Sequence, residues 1–183
     1  MALTESFQKL QRGDKAPSFS LQGVDGKIYS LSNFQGKEGL LVIFMCNHCP
    51  YVKVKMDAIA ELYEKWGDRI AFVGINSNDP AYEGEGMENM KAFAEERSIF
   101  FPYLLDETQE VAKAYGATCT PDPFLFDKEH ELVFHGRIND ALEPGQEVKE
   151  NTMDENIARI VAGQEVPDEP KPSMGCSIKW LEV

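Results

Sequence analysis

The sequence predicts an α/β fold: a central mixed β-sheet flanked by helices, with an N-terminal β-hairpin ahead of it. Three observations carry that expectation. The apolar run Leu40-Leu41-Val42-Ile43-Phe44-Met45 leads through a turn to Val52, Met56, Ile59, Leu62, Tyr63 and Trp66 at helical spacing. A second near-continuous apolar run, Ile70 to Asn76, is that of a strand covered on both faces. Further on, Phe124-Leu125-Phe126 and Glu131 to Gly136 flank the turn Asp127 to His130, and a helical pattern follows at 152–162. Strand, helix, strand, helix, hairpin, helix is the order of a sheet covered on both sides.

The remaining elements follow along the chain. Residues 1–15 are polar, with Leu3, Phe7 and Leu10 at helical spacing, and read as a short docking segment. Alternation over Ala16 to Leu21, a turn at Val24-Asp25-Gly26-Lys27 and Ile28 to Leu31 make the hairpin. Ser32 to Gly36 is a turn or short helical piece, and Gly67-Asp68 closes the first long helix. Ser77 to Gly86 is a polar, acidic loop after a core strand; it either rims a site or is a solvated connection. Met87 to Arg97 is helical, with Met90, Phe93 and Ala94 on one face, and Phe100 to Leu105 is extended. Asp106 is placed to cap a helix over 107–115, which Gly116 ends. Asn139 to Glu150 is an acidic loop, and Gly163 closes the last helix. The proline-rich, acidic stretch 164–172 is extended and exposed, and Met174 to Trp180 turns apolar again to dock. The chain therefore reads as one domain over 1–163, with a tail, 164–183, docking on it; no repeat is present.

Composition narrows the function classes. A chain of 183 residues supports one sizeable core, and 43% hydrophobic with 27% charged residues is a globular composition. A formal net charge of -13 argues against nucleic acid or an anionic membrane as partner. No apolar run has the length of a membrane span, and Met1 to Gln11 lacks the basic start and apolar core of a signal peptide. The expected location is cytoplasmic, where a dithiol is more often catalytic than structural.

The chemistry is concentrated in Cys46-Asn47-His48-Cys49-Pro50, at the strand-to-helix turn. A thiol in the first helical turn faces unpaired N–H groups and the positive end of the dipole, which favour its thiolate. A second thiol three positions on can close a disulfide with it, and a protonated His48 would lower the Cys46 pKa further. The sharp reading is a redox-active dithiol. Paired cysteines also open zinc sites, but those usually carry a second pair, and Cys119 and Cys176 stand alone. Two inert buried cysteines are the other alternative. No cofactor and no metal are expected.

These residues resemble the thioredoxin-like superfamily, in its redoxin (alkyl hydroperoxide reductase/thiol-specific antioxidant) branch. The resemblance runs from about residue 13 to 163. It is carried by Gly13 to Leu21, Asp25-Gly26-Lys27 through Phe34-Gln35-Gly36-Lys37, the C-x-x-C, and Thr120-Pro121 before Phe124 to Asp127 and the closing hairpin. The chain looks most like peroxiredoxin-like proteins with Cys-Asn-His-Cys-Pro and a Gly-Cys-Ser-Ile-Lys-Trp ending. The resemblance implies that Cys46 is an exposed attacking thiol and Cys49 a buried resolving one. It makes Pro121 a cis-proline whose loop faces the dithiol and pairs with a substrate backbone. Cys119 would lie near the dithiol, as a third redox thiol or as a small buried residue.

The departures are informative. Met45 stands where thioredoxins carry tryptophan, Asn47-His48 replace the usual proline-containing pair, and Leu40 to Phe44 hold no buried acid. Ile43 stands where a peroxiredoxin would place its threonine, three before the reactive cysteine. Arg137, on the closing hairpin, reads as a solvated arginine. Cys176 reads as packing beside Trp180 rather than as a third redox partner. The function expected is thiol-disulfide exchange through Cys46 and Cys49, with His48 tuning Cys46 and Thr120-Pro121 positioning the partner. Protein or small-molecule disulfides and dithiols are the partners. The alternatives are a thiol peroxidase or peroxide sensor at Cys46, with peroxides as substrate, and a metal-binding or adaptor module using Cys46, Cys49 and His48. The loops at 77–86 and 139–150 are expected to set partner choice.

Overall fold

The computed structural model describes residues 3–182; Met1, Ala2 and Val183 lie outside the described residues. In chain order the elements are β1 (Leu3–Glu5), β2 (Ser20–Gly23), β3 (Ile28–Ser30), a 3-10 turn (Leu31–Phe34), β4 (Gly39–Phe44), α1 (Pro50–Trp66), β5 (Ile70–Asn76), α2 (Met87–Glu96), β6 (Tyr103–Leu105), α3 (Glu110–Tyr115), β7 (Cys119–Thr120), β8 (Asp122–Asp127), β9 (Leu132–His135), α4 (Thr152–Val161) and β10 (Met174–Ser177).

Every residue of β4 and β5 is buried, because both strands lie mid-sheet with a covered face on each side. The main sheet has the order β3-β2-β6-β5-β4-β8-β9. Its β4–β5 and β5–β6 pairs are parallel and the others antiparallel, so the sheet is mixed. One face packs Leu41, Ile43 and Phe72 against Met56, Ile59 and Leu62 of α1, Met90 and Phe93 of α2, and Ile157 of α4. The other packs Leu40, Val42 and Phe44 against Val111, Ala112 and Tyr115 of α3 and against Phe19 and Phe34. A smaller antiparallel sheet, β1-β10-β7, lies apart from it.

Three expectations are corrected. The N-terminal segment is a strand where helical spacing was read. Leu3 and Phe7 are 46% and 60% exposed, so no apolar face drives a helix, and the backbone of β1 pairs with β10 instead. The helix expected over 107–115 begins at Glu110, because the Asp106 carboxylate accepts the N–H of Ala112 (2.9 Å) and the hydroxyl of Ser77 (2.8 Å). A cap that reaches so far along holds 106–109 in a turn. In the tail, 164–172 is extended and largely exposed, but Val166 is buried and its carbonyl receives the Arg12 guanidinium at 2.5 Å.

One register sets the site. β8 runs antiparallel beside β4 with Phe44 opposite Asp122. The residues just before β8, Cys119 to Pro121, are thereby carried alongside the turn that leaves β4 at Cys46.

Candidate active site: a buried thiol cluster

The turn after β4 closes quickly because Pro50 occupies the first position of α1, where a missing N–H costs nothing. Cys49 is thus the residue that caps α1, and Cys46 stands three residues outside the helix. Across the turn, the hydroxyl of Thr120 lies 3.2 Å from Cys46 Sγ and its carbonyl 3.3 Å from Cys49 Sγ. The Thr120–Pro121 peptide bond is cis.

All four cysteines are buried thiols. This corrects the expectation of an exposed Cys46, whose relative exposure is 0%. The charge is also placed differently. Burial, then the pairing with Cys49 and the nearby Glu85 charge, push the Cys46 thiol well up. Cys49 is held below the ordinary thiol range by hydrogen bonds, first from the Cys46 thiol, then from the Cys176 thiol and the Val52 N–H. The Thr120 carbonyl favours a protonated Cys49, but the Cys46 and Cys176 thiols and the Val52 and Cys176 N–H groups all act the other way. The helix N-terminus serves Cys49, not Cys46, because the helix starts at Pro50.

The loop 77–86 turns inward and delivers Glu85, only 3% exposed, to the dithiol. Its carboxylate accepts from Asn76 Nδ2 (2.6 Å) and from the N–H groups of Asn47 (3.3 Å) and His48 (3.4 Å), and it pairs with His48 Nδ1. Asn47 is pinned from both sides: its Nδ2 donates to the Gly84 carbonyl and its Oδ1 accepts from the Tyr103 hydroxyl. The His48 ring lies 4.9 Å from that of Tyr82, and its Nε2 is buried without a partner among the described residues. Cys46 Sγ, a His48 ring nitrogen and a Glu85 oxygen lie within 4.8 Å of one another, a donor set with the chemistry to hold a metal ion.

A buried acid does reach the neighbourhood, from β8 rather than β4. Asp122 Oδ1 lies 2.6 Å from His135 Nε2, and burial pushes its carboxyl up. Cys119 is near the dithiol, with its thiol pushed well up by burial and by Asp122. Arg137 is engaged elsewhere, donating to Glu150 (2.6 Å) and Thr152 (3.1 Å). The loop 139–150 stays outside the cluster; with Pro50, Tyr51 and Val54 of α1 it lines a groove of about 900 Å³.

Sequence reasoning missed two residues. Glu85 lies between Gly84 and Gly86, both at φ of 83°, a tight loop at the carboxyl end of a central strand, and that was the available signal. Cys176 is 1% exposed, sits across from Thr120 and neighbours Cys49, while Trp180 is 41% exposed.

The chain is similar to known proteins to different degrees. An uncharacterized conserved protein from Geobacillus kaustophilus superposes at a TM-score of 0.93 with 39% identity, over 100% of this chain and 98% of that one. The thiol-disulfide oxidoreductase ResA of Geobacillus thermodenitrificans (strain NG80-2) is 31% identical over 123 residues, 66% of each chain. Peroxiredoxin Q, chloroplastic, of Populus jackii is 33% identical over 111 residues, 60% of this chain and 49% of that one. The AhpC/TSA family pattern matches residues 12–135, from before β2 to the end of β9, with Cys46 and Cys49 inside. With that match over a thioredoxin-like α/β fold, the chain belongs to the AhpC/TSA family.

Proposed function

We propose that this protein is a thiol-disulfide oxidoreductase working through Cys46 and Cys49. The observation that carries the reading is the convergence of both sulfurs on one residue, Thr120, at 3.2 and 3.3 Å. The relationship to ResA, named as such an oxidoreductase, supports it.

In this reading Cys46 gives its proton to Cys49 and attacks a substrate disulfide, forming a mixed disulfide and releasing one substrate thiolate. Cys49 then attacks Cys46 Sγ, its proton going to the departing sulfur, and the second substrate thiol leaves. The Val52 N–H and the Cys176 thiol, which already favour charge on Cys49, serve this second step. Glu85 and His48 set the charge beside Cys46, while Thr120 and Pro121 position the partner chain. Because Cys46 is fully buried, a partner disulfide must first open the site.

Peroxide is the poorer substrate. The thiolate is the nucleophile in both chemistries, but Ile43 leaves no hydroxyl three residues before Cys46 to hold a peroxide. The test is stopped-flow tryptophan fluorescence of the reduced protein mixed with oxidised dithiothreitol or with hydrogen peroxide. Rapid disulfide exchange, abolished in Cys46→Ser and halted at the mixed disulfide in Cys49→Ser, is the expected result. Fast peroxide oxidation that depends on Cys46, with sluggish disulfide exchange, would make the protein a peroxidase instead.

A further inference from the structure

The exchange just described leaves the Cys176 sulfur unoxidised, although β10 sets it beside the residue that both reacting sulfurs reach. β10 pairs antiparallel with β7, Cys176 opposite Thr120 and Ser177 opposite Cys119. Thr120 is the residue on which Cys46 and Cys49 already converge, and Cys176, directly across from it, is near enough to Cys49 to favour its thiolate. The strand is seated at backbone distance: a Cβ at Gly175 would run into the Thr120 carbonyl.

The position is also fixed from every side. β1 pairs along the outer edge of β10, with Leu3 opposite Cys176. Beyond the strand, Ile178 N–H donates to the Thr118 carbonyl (3.1 Å), and Lys179 N–H to Asn78 Oδ1 (2.8 Å). The Lys179 carbonyl accepts from Asp79 N–H (2.8 Å) and from Gln109 Nε2 (2.8 Å). Cys176 is therefore held in place opposite Thr120, and both it and Cys46 are neighbours of Cys49.

We propose that Cys176 is a third redox thiol, which takes over the disulfide from Cys46–Cys49 by attacking Cys49 Sγ. The proposal rests on the exchange reading above. In the step, the Cys46–Cys49 bond breaks as the Cys49–Cys176 bond forms, and the proton of the Cys176 thiol passes to the departing Cys46 sulfur. Two electrons move within the chain and none leaves it; the oxidising equivalent comes from the substrate disulfide. Cys46 is returned to the thiol state, and the reductant that completes the cycle acts on Cys49–Cys176. Cys119 is left out of the step, because its Sγ is directed at the Pro121 carbonyl, 4.0 Å away.

The experiment oxidises reduced wild type, Cys46→Ala and Cys176→Ser with stoichiometric oxidised glutathione, blocks the remaining thiols with iodoacetamide, and maps disulfides in tryptic digests. A Cys46–Cys49 bond closes within the peptide 38–53, whereas Cys49–Cys176 joins that peptide to another. Expected are both bonds in wild type, Cys49–Cys176 in Cys46→Ala, and Cys46–Cys49 alone in Cys176→Ser. The proposal is overturned if wild type gives Cys46–Cys49 alone and Cys46→Ala ends as a glutathione adduct on Cys49. That outcome leaves the exchange reading standing. Absence of any Cys46–Cys49 bond, in wild type and in Cys176→Ser alike, overturns both.

Discussion

Around Cys46 two neighbours pull in opposite directions on a thiol whose proton affinity burial has already raised. The Glu85 charge raises it further, and the Thr120 hydroxyl, able to donate to the sulfur at 3.2 Å, lowers it. Glu85→Gln should therefore move the pH profile of Cys46 alkylation to lower pH, and Thr120→Val should move it to higher pH. Fragment-ion mass spectrometry of the iodoacetamide-labelled peptide 38–53 separates Cys46 from Cys49, and Cys119 and Cys176 lie in other peptides. Shifts of the same sign in both variants would refute this account of the site. At this scale the dithiol and Thr120-Pro121 were legible, because their chemistry is written in adjacent residues. Glu85 was not, since only the pairing of β4 with β5 and the inward turn of the following loop bring it to Asn47 and His48. The thiolate on Cys49 was hidden for a related reason: it depends on where α1 starts and on a third sulfur from the tail.

Among the elements, β10 is the strand that backs Thr120, the residue both reacting sulfurs reach. Gly175→Val puts a branched side chain where the Thr120 carbonyl already stands, a clash of the overpacking kind that costs about 1–3 kcal/mol. A strand weakened by about 1.4 kcal/mol opens about tenfold more often. Labelling of Cys46 should accelerate accordingly while the far-ultraviolet circular dichroism stays native; unchanged labelling would show that β10 does not guard the dithiol. The long elements were readable from the sequence, since α1, β4 and β5 carry enough periodic or apolar residues to reveal their surroundings. β1, β7 and β10 were not: strands of two to four residues owe their existence to pairing partners rather than to pattern.

For the molecule as a whole, the buried acids that stay protonated predict its response to alkali. Burial raises the thiols of Cys46 and Cys119 above 9.0 and the phenols of Tyr103 and Tyr115 above 10.0. In the unfolded chain these groups ionise first, so their contribution is whole below those values and is lost as pH rises past them. Each group removes about 1.4 kcal/mol per pH unit in that window. Lys55 opposes them: burial lowers its pKa to about 8, so its contribution grows from there up to 10.5 and then stops. Cys176, raised to about 12, joins these four groups, and together they outweigh Lys55 above pH 9, so the urea midpoint should fall between about pH 9 and pH 11; a constant or rising midpoint there would contradict the burial assigned here. The ribbon β1-β10-β7 has a different consequence, for the order in which the chain folds. It joins strands from opposite ends of the described residues, whereas the main sheet is complete without it. Distant contacts are the costly ones to close and tend to form late. Before that ribbon closes, the sulfurs of Cys46, Cys49 and Cys119 lack the strand that brings Cys176 to them. An oxidant met at that stage finds a different set of neighbours, so the history of the molecule, as well as its final geometry, decides which sulfurs are joined.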